Sequence, residues 1–140
     1  MTYQMQNRAA QQYAATAVET AVSEASPHKL IELLYAGVVK NLKLTKHFIE
    51  QKNYEKKSEF SNKSLSILTA LKSGVDLEKG GDVAENLYSL YDYCYRTVFV
   101  ASTSNQVEKI DEVLEHLEGL YQAWQEMPDS IKKAPVEKLG

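Results

Sequence analysis

From Pro27 to about residue 51, apolar residues return at helical spacing, but on two adjoining stripes. Ile31, Leu34, Tyr35, Val38, Val39, Leu42, Phe48 and Ile49 form one stripe. Leu30, Leu33, Gly37 and Leu44 form a second beside it. Together they span about 240° of the helix circumference, where an ordinary surface helix needs a stripe of about 100°. The start of this helix is marked by Ser26, whose hydroxyl can accept a hydrogen bond from the first turn. Pro27 follows at the one position where a missing N–H costs nothing. The surplus apolar surface must be covered, by this chain or by another.

The pattern predicts three further helices of similar length. One runs over about 54–72, capped by Asn53, with Phe60, Ser64, Ile67, Leu68 and Leu71 on one face. Leu65 widens it, and the neighbouring Ser58 and Ser61 leave shallow concavities that another helix can fill. After the turn-rich loop 73–81, a third helix covers about 83–103, with Asp82 and Glu85 placed as a capping box. Its apolar face holds Ala84, Leu87, Tyr88, Tyr91, Cys94, Tyr95, Val98 and Phe99. The fourth, about 106–126, takes Asn105 as cap and Pro128 as stop. Equal lengths and short connections predict an all-α, antiparallel up-down four-helix bundle over residues 26–128. Residues 1–25 are rich in Ala, Gln and Thr and thin in large apolar groups. They are expected to form a weak helical segment, a candidate for a detachable cover over the surplus apolar surface of the 27–51 helix. Residues 129–140 have no period and are expected to form a mobile tail.

A chain of 140 residues is one domain, able to bury roughly two thirds of its unfolded surface. Charge is unevenly placed: residues 27–73 hold nine Lys/Arg against four Asp/Glu, and residues 74–128 three against eleven. Two basic helices beside two acidic ones favour one pairing over others. A basic strip that recruits an acidic partner is the second reading. With a net charge of −3 there is no electrostatic case for nucleic acid. No apolar run is long enough to enter a membrane as a spanning helix, and the N-terminus lacks the apolar run of a signal peptide. Cys94 is the only cysteine, so neither an internal disulfide nor a cysteine metal site is expected. His28, His47 and His116 are scattered, without metal-ligand spacing, and read as surface or helix-end residues. His116-Leu-Glu-Gly119 departs from the spacing of a histidine phosphotransfer site. No cofactor and no catalysis are expected. Nine tyrosines remain to be explained, four of them in Tyr88-x-x-Tyr91-x-Tyr93-x-Tyr95. They suit core packing with hydroxyls at the rim, or a binding wall.

Four motifs in this order resemble the FliS family of flagellar export chaperones: Ala25-Ser-Pro-His-Lys-Leu-Ile-Glu-Leu-Leu-Tyr-Ala-Gly37, Leu77-Glu-Lys-Gly-Gly81, Asn86-Leu-Tyr-Ser-Leu-Tyr-Asp-Tyr-Cys-Tyr-Arg96 and Ala123-Trp124. The resemblance covers about residues 10–127. It implies a helical bundle with a movable N-terminal segment. It also implies a cytoplasmic protein that binds the disordered C-terminal segment of flagellin, prevents premature polymerisation and supports export. The export gate and regulators of flagellin production are further partners that it implies. Tyr13 falls where the family has an N-terminal tyrosine linked to flagellin binding. The expected partner-binding set is Tyr13, Leu30, Leu33, Gly37, Leu44, Ser61, Leu65, Leu68, Tyr91 and Tyr95. The alternative is an adaptor, or a self-associating bundle, that uses the same apolar face on another folded protein.

Overall fold

The computed structural model describes residues 26–127, and the expectations for residues 1–25, Tyr13 among them, and for the tail lie outside that range. Four helices follow one another: α1 Pro27–Glu50, α2 Tyr54–Ser73, α3 Gly81–Ser104 and α4 Val107–Gln125. The predicted all-α bundle is therefore the observed one, with no strand among the described residues. Each helix packs against two neighbours, α1 on α2 and α4, and α3 on α2 and α4. The α1–α2 seam is the most extensive and the α3–α4 seam the sparsest. Contacts between early residues of one helix and late residues of the next fix the antiparallel sense. Phe48 stacks on Phe60, Lys57 donates to Ser102 O, and Trp124 donates to His28 O.

Helix starts follow local chemistry where the sequence advertises a cap. Ser26 Oγ accepts from Lys29 N–H at 3.1 Å with Pro27 in the first turn. Asn53 Oδ1 accepts from Lys56 N–H at 3.2 Å. The other two starts depart from expectation. α3 begins at Gly81, after Gly80, with no side-chain cap, so Asp82 lies inside the first turn. Gly81 has φ +59°, a left-handed conformation that costs glycine nothing. Asn105 does not cap α4. It ends α3 in the left-handed conformation (φ 57°), and Gln106 precedes α4 without a side-chain cap. A two-residue connection demands that reversal, and Asn tolerates it better than most residues.

The core is formed by Leu34, Tyr35, Val38 and Leu42 of α1, Ile67, Leu68 and Leu71 of α2, Tyr91, Cys94 and Val98 of α3, and Ile110, Val113, Leu114 and Leu117 of α4. At its centre the hydroxyls of Tyr35 and Tyr91 share a buried hydrogen bond of 2.5 Å across the bundle. Burial raises the pKa of both phenols, that of Tyr91 well above the ordinary value. The uneven charge ties neighbours together: Lys43–Glu118 and Lys46–Asp111 join α1 to α4, and Lys72–Asp92 joins α2 to α3.

The two ends of the bundle are closed differently. At one end Lys57 Nζ, buried, donates to Ser102 O at 2.7 Å and to Asn105 Oδ1 at 2.9 Å. A cation thus satisfies the free carbonyl end of α3, where the helix dipole favours positive charge. At the other end His28, read from the sequence as a surface or helix-end residue, sits in the first turn of α1 and is only 4% exposed. Its ring stacks on Trp124 (centroids 4.5 Å apart), and Trp124 Nε1–H donates to His28 O at 3.1 Å.

Candidate functional site

A groove runs along the outside of the α2–α3 seam. Lys72 of α2 reaches over it, its Nζ 5.6 Å from the Tyr88 ring centre and 5.4 Å from that of Tyr95. The same Nζ lies 3.1 Å from Asp92 Oδ1, and Arg96 Nε donates to Asp92 Oδ2 at 3.0 Å. Hydrogen bonding and charge from Lys72 hold the Asp92 carboxyl below its usual pKa. The two rings present their faces to the ammonium, which favours this arrangement electrostatically. Leu65 of α2 and Tyr95 of α3 are half-buried and pack against the core from this side. Phe99 stands one turn beyond Tyr95, 54% exposed. The sequence pattern places Phe99 on the apolar face of this helix, and the structure leaves it exposed. It lies at the very edge of the apolar arc, where a shift of a few tens of degrees decides between core and solvent.

The second stripe of α1 forms another apolar surface. Leu30, Leu33 and Leu44 are half-buried, neither closed into the core nor free of it. Phe48, half-buried on the same helix, stacks on Phe60 at 5.6 Å, so this surface continues onto α2. Lys63 caps it, with Nζ 5.1 Å from the Phe60 ring centre.

Four of the expected contact residues lie beneath these surfaces. Leu68 and Tyr91 belong to the closed core, Tyr91 at 2% exposure. Gly37 is buried, its carbonyl accepting from Asn41 Nδ2 at 2.8 Å. Ser61 is buried too, because the concavity beside it is filled from within the bundle. Ser102 Oγ of α3 donates to Ser61 Oγ at 2.9 Å, and Ser61 Oγ donates to Ser58 O. Among the described residues, the structure thus brings Leu65 and Tyr95 together on one groove. It gathers Leu30, Leu33 and Leu44 on another surface, and gives Gly37, Ser61, Leu68 and Tyr91 a backing position. Lys72, Asp92 and Phe99 are the members of the groove that sequence reasoning missed, whereas Tyr88 belongs to the tyrosine run read as a candidate binding wall. The excess of tyrosine was the available signal.

Among the described residues no three His, Cys, Asp or Glu side chains come together as metal ligands. Burial pushes the Cys94 thiol up to about 12, so it is protonated and poorly nucleophilic at neutral pH. No helix among the described residues is long and apolar enough to cross a membrane. The described residues define a four-helix bundle with half-buried apolar surfaces outside its closed core.

Within that class the chain belongs to the FliS family: the family model for Flagellar protein FliS matches residues 9–131. The flagellar secretion chaperone FliS of Salmonella typhimurium is 40% identical over 116 residues, 82% of this chain and 86% of its own length. That of Vibrio cholerae is 32% identical over 130 residues, 93% and 96% of the two chains. That of Bacillus subtilis is 27% identical over 115 residues, 82% and 85%.

Proposed function

We propose that this chain is a cytoplasmic flagellar secretion chaperone that binds the disordered C-terminal segment of flagellin. It keeps that segment from polymerising early and presents it to the export apparatus. The observation that carries this reading is the large apolar surface left half-buried outside a core that is already closed. A flagellin segment supplies short amphipathic helices that lie in these grooves. Leu30, Leu33 and Leu44 line one landing surface, and Leu65, Tyr95 and Phe99 the other. Gly37, Ser61, Leu68 and Tyr91 set the depth of the grooves from below. Tyr13 adds an aromatic anchor. Ordering a free segment costs several kcal/mol, so a long, wrapped contact is needed to offset it.

The test is a titration of the full chain with the C-terminal segment of flagellin from the same organism, followed by circular dichroism. Helical signal rises beyond the sum of the components, because the segment gains helix while the bundle is already folded. Binding without that gain contradicts wrapping, and no binding contradicts the assignment.

A further inference from the structure

The sparsest seam of the bundle, α3–α4, carries an exposed apolar stripe that neither groove uses. Val83 is 64% exposed and Val100 46%, and Tyr93 is exposed between them. With half-buried Leu90 they repeat at helical spacing along the outer, α4-facing side of α3. From Val83 to Val100 the stripe runs about 26 Å at 1.5 Å per residue. On the α4 side, Tyr93 O–H donates to Glu112, and its ring meets the His116 ring edge-on at 6.3 Å. Further along α4 come Gly119 and Ala123, both exposed. A Cβ built on Gly119 meets nothing within 4 Å, so α4 is at its narrowest there with open space beside it.

Charge selects the occupant. Of the acids on α4, Glu118 and Asp111 face α1 and are paired with Lys43 and Lys46. Among the described residues Glu108, Glu112 and Glu115 have no basic partner, and neither does Asp82 at the start of α3. Against these four the face sets one unpaired cation, Lys109, because Arg96 is held by Asp92. We propose that the α3–α4 face is a second docking surface, and that its occupant is a lysine- or arginine-rich amphipathic helix of another protein. Leucine-sized side chains on that helix cover the Val83–Val100 stripe and settle beside Gly119, while its cations meet Glu108, Glu112 and Glu115. A second copy of this chain in a symmetric pair would bring like acids face to face, which is unfavourable. The surface lies across the bundle from the α1–α2 seam and on the other flank of α3 from the α2–α3 groove, so cargo and second partner occupy different faces.

The probe is a fluorescein-labelled synthetic helix of about 18 residues, ~27 Å long, with leucines on one face and lysines elsewhere. It is titrated by anisotropy with the full-length protein. Binding weakens at least about tenfold when the peptide lysines are replaced by glutamates, a difference of roughly 1.4 kcal/mol. Gly119→Arg weakens it to a similar degree, and Arg is a better helix former than Gly, so the fold is kept. Glu112→Lys combined with Glu115→Lys gives an independent loss at exposed positions. Leu33→Asp leaves peptide binding unchanged. The proposal is overturned if the glutamate peptide binds equally well, or if both α4 variants bind as the parent does. It is equally overturned if the flagellin segment displaces the peptide, or if the free protein sediments as a dimer that Gly119→Arg dissolves.

Discussion

Removing one hydroxyl from the centre of the bundle separates a structural tyrosine from a binding one. Tyr35 and Tyr91 are both 2% exposed, and among the described residues their hydroxyls bond only to each other. Tyr91→Phe keeps the ring but leaves the Tyr35 hydroxyl buried without a partner. Stranding a buried polar group costs about 1–3 kcal/mol. Tyr35→Phe strands the other hydroxyl at a similar cost. The double variant removes the whole pair and leaves nothing stranded, so its stability returns to within about 1 kcal/mol of the parent. The sum of the singles less the double is thus about 1–6 kcal/mol, of the sign that makes the double variant milder than the sum of the singles. Equilibrium unfolding in urea measures it, with an unchanged m value showing that the same surface is exposed in each variant. Additive losses would refute the argument, since they would mean that each hydroxyl is satisfied independently. The flagellin segment binds Tyr91→Phe with parental affinity, because the groove wall is the unchanged ring of Tyr95. Tyr95→Ala behaves oppositely, with weaker binding and a smaller loss of stability.

Three further expectations can be measured on the same protein. Leu68→Asp, at a fully closed position, unfolds the chain, whereas Leu33→Asp leaves the circular dichroism melt cooperative and lowers affinity for the flagellin segment; unfolding by both would make the α1 stripe core. His28→Ala removes the stack on the only tryptophan, shifting Trp124 emission and costing about 0.5–1.5 kcal/mol beyond lost burial, and unchanged emission would contradict the stack. Stability holds below about pH 10 and falls above it, because the unfolded chain ionises Tyr35 and Tyr91 at their ordinary pKa while the fold, with both raised, retains the protons. Replacing both tyrosines with phenylalanine flattens that alkaline slope in urea titrations.

Much of the architecture was legible in advance. Periodicity alone separates four helices, and Ser26-Pro27 and Asn53 announce their own helix starts because a cap is a local interaction. Asn105 is different. Its role depends on Lys57, 48 positions away, which needs its side-chain oxygen to finish α3. Asp82 and Glu85 have the spacing of a capping box, yet the glycine pair before them starts the helix two residues earlier. For the surface, helical phase marks the apolar arc of α3 but not its edges. Phe99 falls outside and Tyr91 inside, because the positions of α2 and α4 decide which part of the arc is covered. His28 reads as a helix-end residue until Trp124, from the far end of the chain, closes over it.

The His28–Trp124 contact also settles where the chain enters and leaves the bundle. Residues 28 and 124 touch, so the two ends of the described chain lie side by side at one end of the molecule. At the opposite end, the turn after α1 is three residues long and exposed, with Lys52 already in a left-handed conformation. The order of the helices along the gene is therefore separable from their order in space. Joining the two natural end segments to each other through a short linker, with new termini opened at Lys52, would give a circular permutant with every helix seam intact. In that molecule the natural end segments become an internal loop, and their contribution to cargo binding can be read apart from the freedom of a chain end.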